Sequence, residues 1–227
     1  SENIIGFQPG DTVSLRDLLY AALVQSDNIA AYALANHVGQ AVQGIVPAAG
    51  NSGAVATFVG QMNALAKTLG MERTRFVNPH GSDTNVKPIP YSTAMDMARL
   101  TRYAMNKAGF RFYVSQKERQ ISWNRGGARK DYILRNTNEL LGVDGVEGVK
   151  TGRTARAGDC LILSAQRQAE IIKQSETNTS VIPRHLIIVL LGSPNRFEEG
   201  RQMLNAGWQL HDQWAAGGRM VDPKRAL

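Results

Sequence analysis

"VEGVKTGRTARAGDCLILSAQ", residues 146–166, decides how the chain is read. A glycine-rich turn precedes a short run, "EGVKTG", with strand character, and "CLILSAQ" is a stronger strand. A third apolar run, "HLIIVLLG" at 185–192, is the strongest strand signal in the chain. Runs of this length between turn signals fit strands better than helices. The segments 147–151, 160–166 and 186–191 lie close enough in sequence to pair as a meander. Lys150, Thr151 and Gly152 then stand at a strand edge. There they are either ordinary surface residues or the wall of a site.

Outward from this stretch the order of elements is informative. Ser14 precedes a helical stripe of Leu15, Leu18, Leu19 and Leu23, with Asp17 at the third position, close to a capping box. "SDN", residues 26–28, breaks the pattern, and a second helix, "IAAYALANHV", follows with Gly39 as its natural stop. The stretch 39–53 reads as a loop rich in glycine and small residues. Residues 54–69 predict a third helix ended by Gly70. Ser92 is placed to cap a fourth, running through Lys107. Strand-like segments follow at 119–124 and 130–135, a polar interruption at 167–182, and an amphipathic helix from about Arg196 to Trp214. Helices first and consecutive strands later predict an α+β fold, an antiparallel sheet packed against a helical cluster.

Composition narrows the function classes. The chain has 227 residues, 43% apolar and 20% charged, which suits a globular domain with a sizeable core. No apolar run reaches the roughly 18 residues that span a bilayer, and the first residues lack the apolar core of a secretory signal. The net charge is +7. Its densest basic stretch, residues 111–136, has interleaved aromatics, but no nucleic-acid motif accompanies it. A solvated hairpin turning at Gly126-Gly127 is the better reading, and no nucleic-acid partner is expected. Cys160, the single cysteine, sits in an apolar run and reads as a small buried hydrophobe. His37, His80, His185 and His211 have no metal-ligand spacing, so neither a metal nor a cofactor is expected.

Two triplets carry chemistry together: Ser26-Asp27-Asn28 and Lys150-Thr151-Gly152. Alone, each is weak, since Ser-Asp-Asn also reads as a turn or helix cap and Lys-Thr-Gly as a strand end. As a pair they are two of the three motifs shared by penicillin-binding proteins and class A β-lactamases. The chemistry is coherent. Acyl transfer from a peptide ending in D-alanine needs a site for a carboxylate and groups that relay a proton. Lys150 supplies positive charge, Thr151 a hydroxyl donor, and Gly152 leaves the strand edge open to a substrate backbone. Ser26 and Asn28 can hold the substrate amide and shuttle protons. A backbone N–H on the sheet edge can serve as an oxyanion donor. Arg153 and Arg156 flank the motif, and Arg153 is a candidate for the ligand's carboxylate.

The chain resembles the D-alanyl-D-alanine carboxypeptidases, the low-molecular-weight penicillin-binding proteins. The resemblance runs through "LRDLLYAALVQSDNIAAYALA", "FVGQMNALAKTLGMERTRFVNPHG", "YSTAMDMARLTRYAM", "NTNELLGVDGVEGVKTGRTARAGDCLILSA" and "GSPNRFEEGRQMLNAGW". It implies a β-lactamase/transpeptidase-like fold and a serine peptidase acting on peptidoglycan stem peptides ending in D-Ala-D-Ala. It also implies sensitivity to β-lactam antibiotics and a periplasmic or other extracytoplasmic location. By resemblance the catalytic residues are Ser26, Asn28 and Lys150, and the substrate-binding residues Thr151, Gly152 and Arg153.

One family motif is absent. No serine here is followed three residues later by lysine, so the Ser-x-x-Lys nucleophile is not found. In the family that motif lies upstream of Ser-x-Asn. The resemblance therefore implies that the early strands and the nucleophile helix fall before residue 1. Residues 1–227 are expected to be a partial domain, helical over about 14–107, with the sheet and last helix over about 111–216 and no C-terminal β domain. The uncovered surface is expected to associate with the missing N-terminal segment or another copy. The chain alone is expected to be inactive.

Three other readings compete. One is a non-catalytic peptidoglycan- or protein-binding remnant. The second is a class A β-lactamase, which needs a Glu-x-x-x-Asn pattern, whereas Glu72 is followed at the fourth position by Phe76. The third makes Ser26 the nucleophile with Lys150 as base; it requires a Lys150 desolvated enough to lose its proton.

Overall fold

The computed structural model describes residues 3–45, 53–173, 175 and 178–223. Its helices are α1 (Leu15–Val24), α2 (Asn28–Ile45), α3 (Ala54–Thr68), α4 (Ala94–Met105), α5 (Ala108–Val114) and α6 (Arg196–Ala216). Its strands are β1 (Thr12–Val13), β2 (Glu118–Arg125), β3 (Ala128–Arg135), β4 (Val146–Thr154), β5 (Gly158–Lys173) and β6 (Thr179–Ser193). They form two antiparallel three-stranded sheets, β1-β2-β3 and β4-β5-β6. The meander is as the apolar runs require. The strands at 118–135 do not join it but make their own sheet.

Each half has its own core. Ser14 Oγ accepts from Asp17 N at 3.0 Å and starts α1, whose Leu18, Tyr20, Ala21 and Val24 are buried. These pack against Ile121, Trp123 and Leu134 of the β2–β3 hairpin. That hairpin pairs Arg125 with Ala128 around Gly126 and Gly127, both at positive φ (58° and 87°). A two-residue hairpin turn of the primed kind needs that conformation. In the second core, Leu161, Leu163 and Ile188 pack against Leu204 and Trp208 of α6. Full burial of such side chains contributes roughly 1.5–3 kcal/mol each. Met105, Val114 and Val149 form a smaller cluster that ties α4 and α5 to β4. It fixes β4 relative to the helices, and so fixes the site.

Several sequence expectations are corrected. Gly39 does not stop α2, which continues to Ile45. A Cβ at position 39 would lie 1.9 Å from the carbonyl oxygen of Ala54, so the glycine serves the close approach of α2 to the start of α3. Of the expected loop 39–53, residues 46–52 lie outside the described residues. Thr93, not Ser92, caps α4, accepting from Asp96 N at 3.2 Å, while the Ser92 hydroxyl bonds Thr74 Oγ1 at 2.8 Å. The helix ends at Met105, and a further short helix, α5, follows. The polar stretch 167–182 is mostly strand: β5 and β6 continue as a long hairpin through a bulge between Arg167 and Glu170. There Arg184 pairs with Asp212 at 2.6 Å and with Glu170 at 3.7 Å, so charged pairs hold what apolar alternation does not. Residues 174, 176 and 177 of that stretch lie outside the described residues.

No described helix is long and apolar enough to cross a membrane.

Candidate active site

Ser26 sits in the turn between α1 and α2 with φ 66°, a left-handed conformation that costs a non-glycine residue about 1–2 kcal/mol. The surrounding bonds hold it there. Asp27, 1% exposed, accepts from Ala30 N at 2.8 Å and from Ile5 N at 3.1 Å, capping α2 and anchoring the N-terminal segment. Its own N–H donates to Ala21 O at 3.1 Å. Thr137 N donates to Val24 O at 3.2 Å, and Gln25 bonds both Tyr132 OH and Arg135 N. The middle residue of the triplet is thus structural, and it presents its two neighbours. Asn28 opens α2 half-buried, and its amide bonds none of the described residues.

Lys150 lies on β4, opposite Ile162 of β5. Its Nζ donates to Ser26 Oγ at 2.6 Å and to Thr151 O at 2.8 Å. The two triplets, 124 residues apart at this contact, therefore meet. Burial, reinforced by the positive charge of Arg196, pulls the lysine pKa from 10.5 to about 8. Thr151 is buried, its Oγ1 2.6 Å from Thr137 Oγ1. Gly152 is exposed, and a Cβ there would meet only Cys160 Cβ, at 4.0 Å. The open edge expected of this glycine is present.

A cavity of about 430 Å³ runs along this face, lined by Lys150, Thr151 and Gly152 of β4, Cys160 and Ile162 of β5, Leu191 of β6, and Ser92 and Met97 on the α4 side. Cys160 is therefore not an ordinary core residue: it is partly exposed and lines the cavity, because it pairs with Gly152, which has no side chain to cover it.

Arg153 points away into solvent, its side chain 78% exposed and paired with Asp159 at 3.3 Å. Arg196, the first residue of α6, stands closer in. It is 19% exposed, donates to Gly152 O at 3.0 Å and lies 3.8 Å from Asp159. Sequence reasoning singled out neither Arg196 nor Thr137. Arg196 stands within a stretch that carries the family resemblance, at a helix start, but nothing local ties it to a strand 44 residues away. Thr137 lies in the loop after β3 and has no pattern around it. Among the described residues, no cluster of three or more His, Cys, Asp or Glu could hold a metal.

The helices, antiparallel sheets and paired triplets define a class of fold, β-lactamase/transpeptidase-like, and the comparisons narrow it. The Peptidase S11 family, D-alanyl-D-alanine carboxypeptidase, matches residues 2–174, and the chain belongs to that family. The D-alanyl-D-alanine carboxypeptidase DacC of Escherichia coli is 32% identical over 215 residues, 92% of this chain and 44% of that protein. The D-alanyl-D-alanine carboxypeptidase of a Streptomyces species is 32% identical over 177 residues, 77% of this chain and 57% of that protein. The chain spans about half the length of the curated relatives it matches. Among solved structures, the Streptomyces K15 DD-transpeptidase superposes with a TM-score of 0.69 at 28% identity, covering 89% of this chain and 71% of that one. A penicillin-binding protein of Listeria monocytogenes, solved with cefotaxime bound, gives 0.63 at 28% identity, covering 86% and 66%.

Proposed function

We propose that these residues form the Ser-Asp-Asn and Lys-Thr-Gly walls of a serine-type D-Ala-D-Ala carboxypeptidase cleft of peptidoglycan maturation. Ser26 and Lys150 relay a proton, and Asn28 holds the substrate amide. Thr151 and Gly152 receive the terminal residue along the open edge of β4. The observation that carries this reading is the 2.6 Å contact between Lys150 Nζ and Ser26 Oγ, which joins the two triplets. For the terminal carboxylate, Arg196 is the better partner. It is partly desolvated beside Gly152, whereas Arg153 is mostly in water, where a charge contributes little. The substrate places the cleft outside the cytoplasm. Hydrolytic turnover needs a Ser-x-x-Lys nucleophile, which these residues do not contain, so they are expected not to turn substrate over alone.

A partner follows from β6. "HLIIVLLG" is apolar on both faces, as in a central strand, yet no described strand pairs with its outer edge. We propose that this edge receives a strand from outside these residues. Fast amide exchange along the outer edge of β6 in the isolated chain is expected; slow exchange throughout β6 in a monomer would count against it.

The test of the cleft is binding of an N-acylated tripeptide ending in D-Ala-D-Ala, followed by NMR, against its L-Ala-L-Ala counterpart. Selective shifts at Ser26, Lys150 and Gly152 are expected. Equal response to both peptides would overturn the reading. Release of D-alanine would show turnover. Binding without release is also what a non-catalytic binding remnant would give. The class A β-lactamase reading gains nothing from Glu72, which is exposed.

A further inference from the structure

We propose that Thr137 is a positioning residue of the cleft: its hydroxyl fixes where the Thr151 hydroxyl sends its proton, and so sets a preference for ligands ending in a carboxylate. The inference rests on the reading of this cleft as the seat of a D-alanine terminus, and adds to it a residue outside both triplets.

Three observations carry it. The first is contact. Thr137 Oγ1 lies 2.6 Å from Thr151 Oγ1, and no other described group bonds the Thr151 hydroxyl. Thr151 is buried, so this bond is what holds its hydroxyl. Lys150 does not compete for it, since its Nζ bonds Ser26 Oγ and the Thr151 carbonyl.

The second is the loop between β3 and β4 that carries Thr137. Both neighbouring asparagines are committed to holding it. Asn136 Nδ2 donates to Val114 O at 3.1 Å and to Gln116 O at 2.9 Å, and its Oδ1 accepts from Asn138 N at 2.9 Å. Asn138, 4% exposed, donates from Nδ2 to Gly148 O at 3.2 Å and accepts from Leu140 N at 3.1 Å. The loop is thus fastened to the end of α5 and to β4 on either side of Thr137, whose hydroxyl holds none of it.

The third is the backbone of Thr137. Its N–H donates to the carbonyl of Val24, the last residue of α1, at 3.2 Å, just before the Ser26 turn. One residue therefore bonds the Ser-Asp-Asn wall through its backbone and the Lys-Thr-Gly wall through its side chain.

The chemistry follows from the donor count. Each hydroxyl has one proton to give and lone pairs to accept with. A carboxylate only accepts. Facing one, Thr151 gives its proton to the ligand, and Thr137 gives its own to Thr151 Oγ1. The buried oxygen stays paired, and the two bonds polarise each other in one direction. Bonds to a charged acceptor are about twice as strong as neutral ones, so the relay favours an acid terminus over an amide.

The experiment is titration of the full chain, followed by NMR, with the D-Ala-D-Ala tripeptide and with its C-terminal amide. Wild type, Thr137→Val, Thr137→Ser, Thr151→Val and the double valine variant are compared. Thr137→Val keeps the β-branched shape and the backbone bond to Val24 and removes the hydroxyl. It is expected to weaken the acid about three- to tenfold, the size of one hydrogen bond, and the amide less than about twofold. Thr137→Ser should restore the acid to within about twofold of wild type. In the Thr151→Val background, Thr137→Val should change nothing further, because its effect travels through Thr151. Equal weakening of acid and amide, no recovery with serine, or an undiminished effect in that background would overturn the inference and leave Thr137 a structural residue. Circular dichroism checks each variant; if Thr137→Val does not fold, Thr137→Ala read against Thr137→Ser carries the same test. Wild type binding D-Ala-D-Ala over L-Ala-L-Ala, with Thr137→Val unchanged, removes only the positioning role. Wild type preferring neither peptide removes the underlying reading of the cleft, and the inference with it.

Discussion

Arg196 Nη1 donates to the carbonyl of Gly152 at 3.0 Å, so the start of α6 is fastened to the edge of β4 beside Lys150. This gives Arg196 two roles that Arg153 lacks: it holds a positive charge against the carbonyl of Gly152, which lines the cavity, and it depresses the Lys150 pKa. Arg196→Ala is expected to weaken a ligand ending in a carboxylate by roughly ten- to a hundredfold, the size of a lost charged hydrogen bond. Arg153→Ala should change it less than about twofold, as for an exposed pair. Titration with the D-Ala-D-Ala tripeptide and with its C-terminal amide checks both. The amide should bind the two variants almost equally.

Lys150 makes a pH prediction whose sign is fixed. Its folded pKa of about 8 lies below the 10.5 of an exposed lysine. Below pH 8 both states hold the proton, and the folded state bears the full penalty of a buried charge. From pH 8 to 10.5 the unfolded chain keeps a proton that the folded chain has released, so stability rises with pH. The span corresponds to something on the order of 3 kcal/mol. Lys150→Met removes this dependence. Urea denaturation at pH 7 and at pH 10 should show the difference between wild type and variant moving in favour of the wild type at the higher pH. A gap that stays constant would contradict the depressed pKa.

Where the sequence was legible, local signals and burial agree. Ser14 announces α1 because a cap and an apolar stripe coincide, and Gly126-Gly127 marks its hairpin because only that turn needs two positive φ angles in succession. The two triplets were visible as words, and the distance between them was not. The Lys150–Ser26 contact depends on Met105, Val114 and Val149 packing β4 against the helices, a relation that no window of sequence contains. Arg196 and Thr137 escaped for the same reason: each acts through a partner far along the chain. The extension of β5 and β6 was hidden differently. At the bulge Arg184 of β6 pairs with Glu170 across the ladder and with Asp212 of α6, and such polar composition reads as loop.

Gly39 separates two meanings of a glycine. If it ended α2 in a left-handed cap, Ala would cost about 1 kcal/mol through the unfavourable backbone conformation. The structure sets a larger cost of another kind, since the new Cβ would stand 1.9 Å from Ala54 O and backbone would have to move. Gly39→Ala is expected to cost about 2–3 kcal/mol by overpacking. A lowered midpoint in urea at unchanged slope is the signature to look for.

Asp27 links stability to the site. Its carboxylate satisfies two buried N–H groups, Ala30 at the start of α2 and Ile5 in the N-terminal segment. Asp27→Ala strands both, and is expected to cost roughly 2–4 kcal/mol, a lost cap plus an unpaired buried donor. Asp27→Asn should cost less, because its amide oxygen still accepts from one of them. The consequence reaches further than stability. Ser26 keeps φ 66° only while the turn is pinned from both sides, so releasing Asp27 lets the serine relax and lengthens its contact with Lys150. The variants should therefore bind the D-Ala-D-Ala tripeptide more weakly under conditions where circular dichroism still shows them folded. A folded Asp27→Ala chain with unchanged tripeptide binding would mean that the turn holds its shape without the carboxylate.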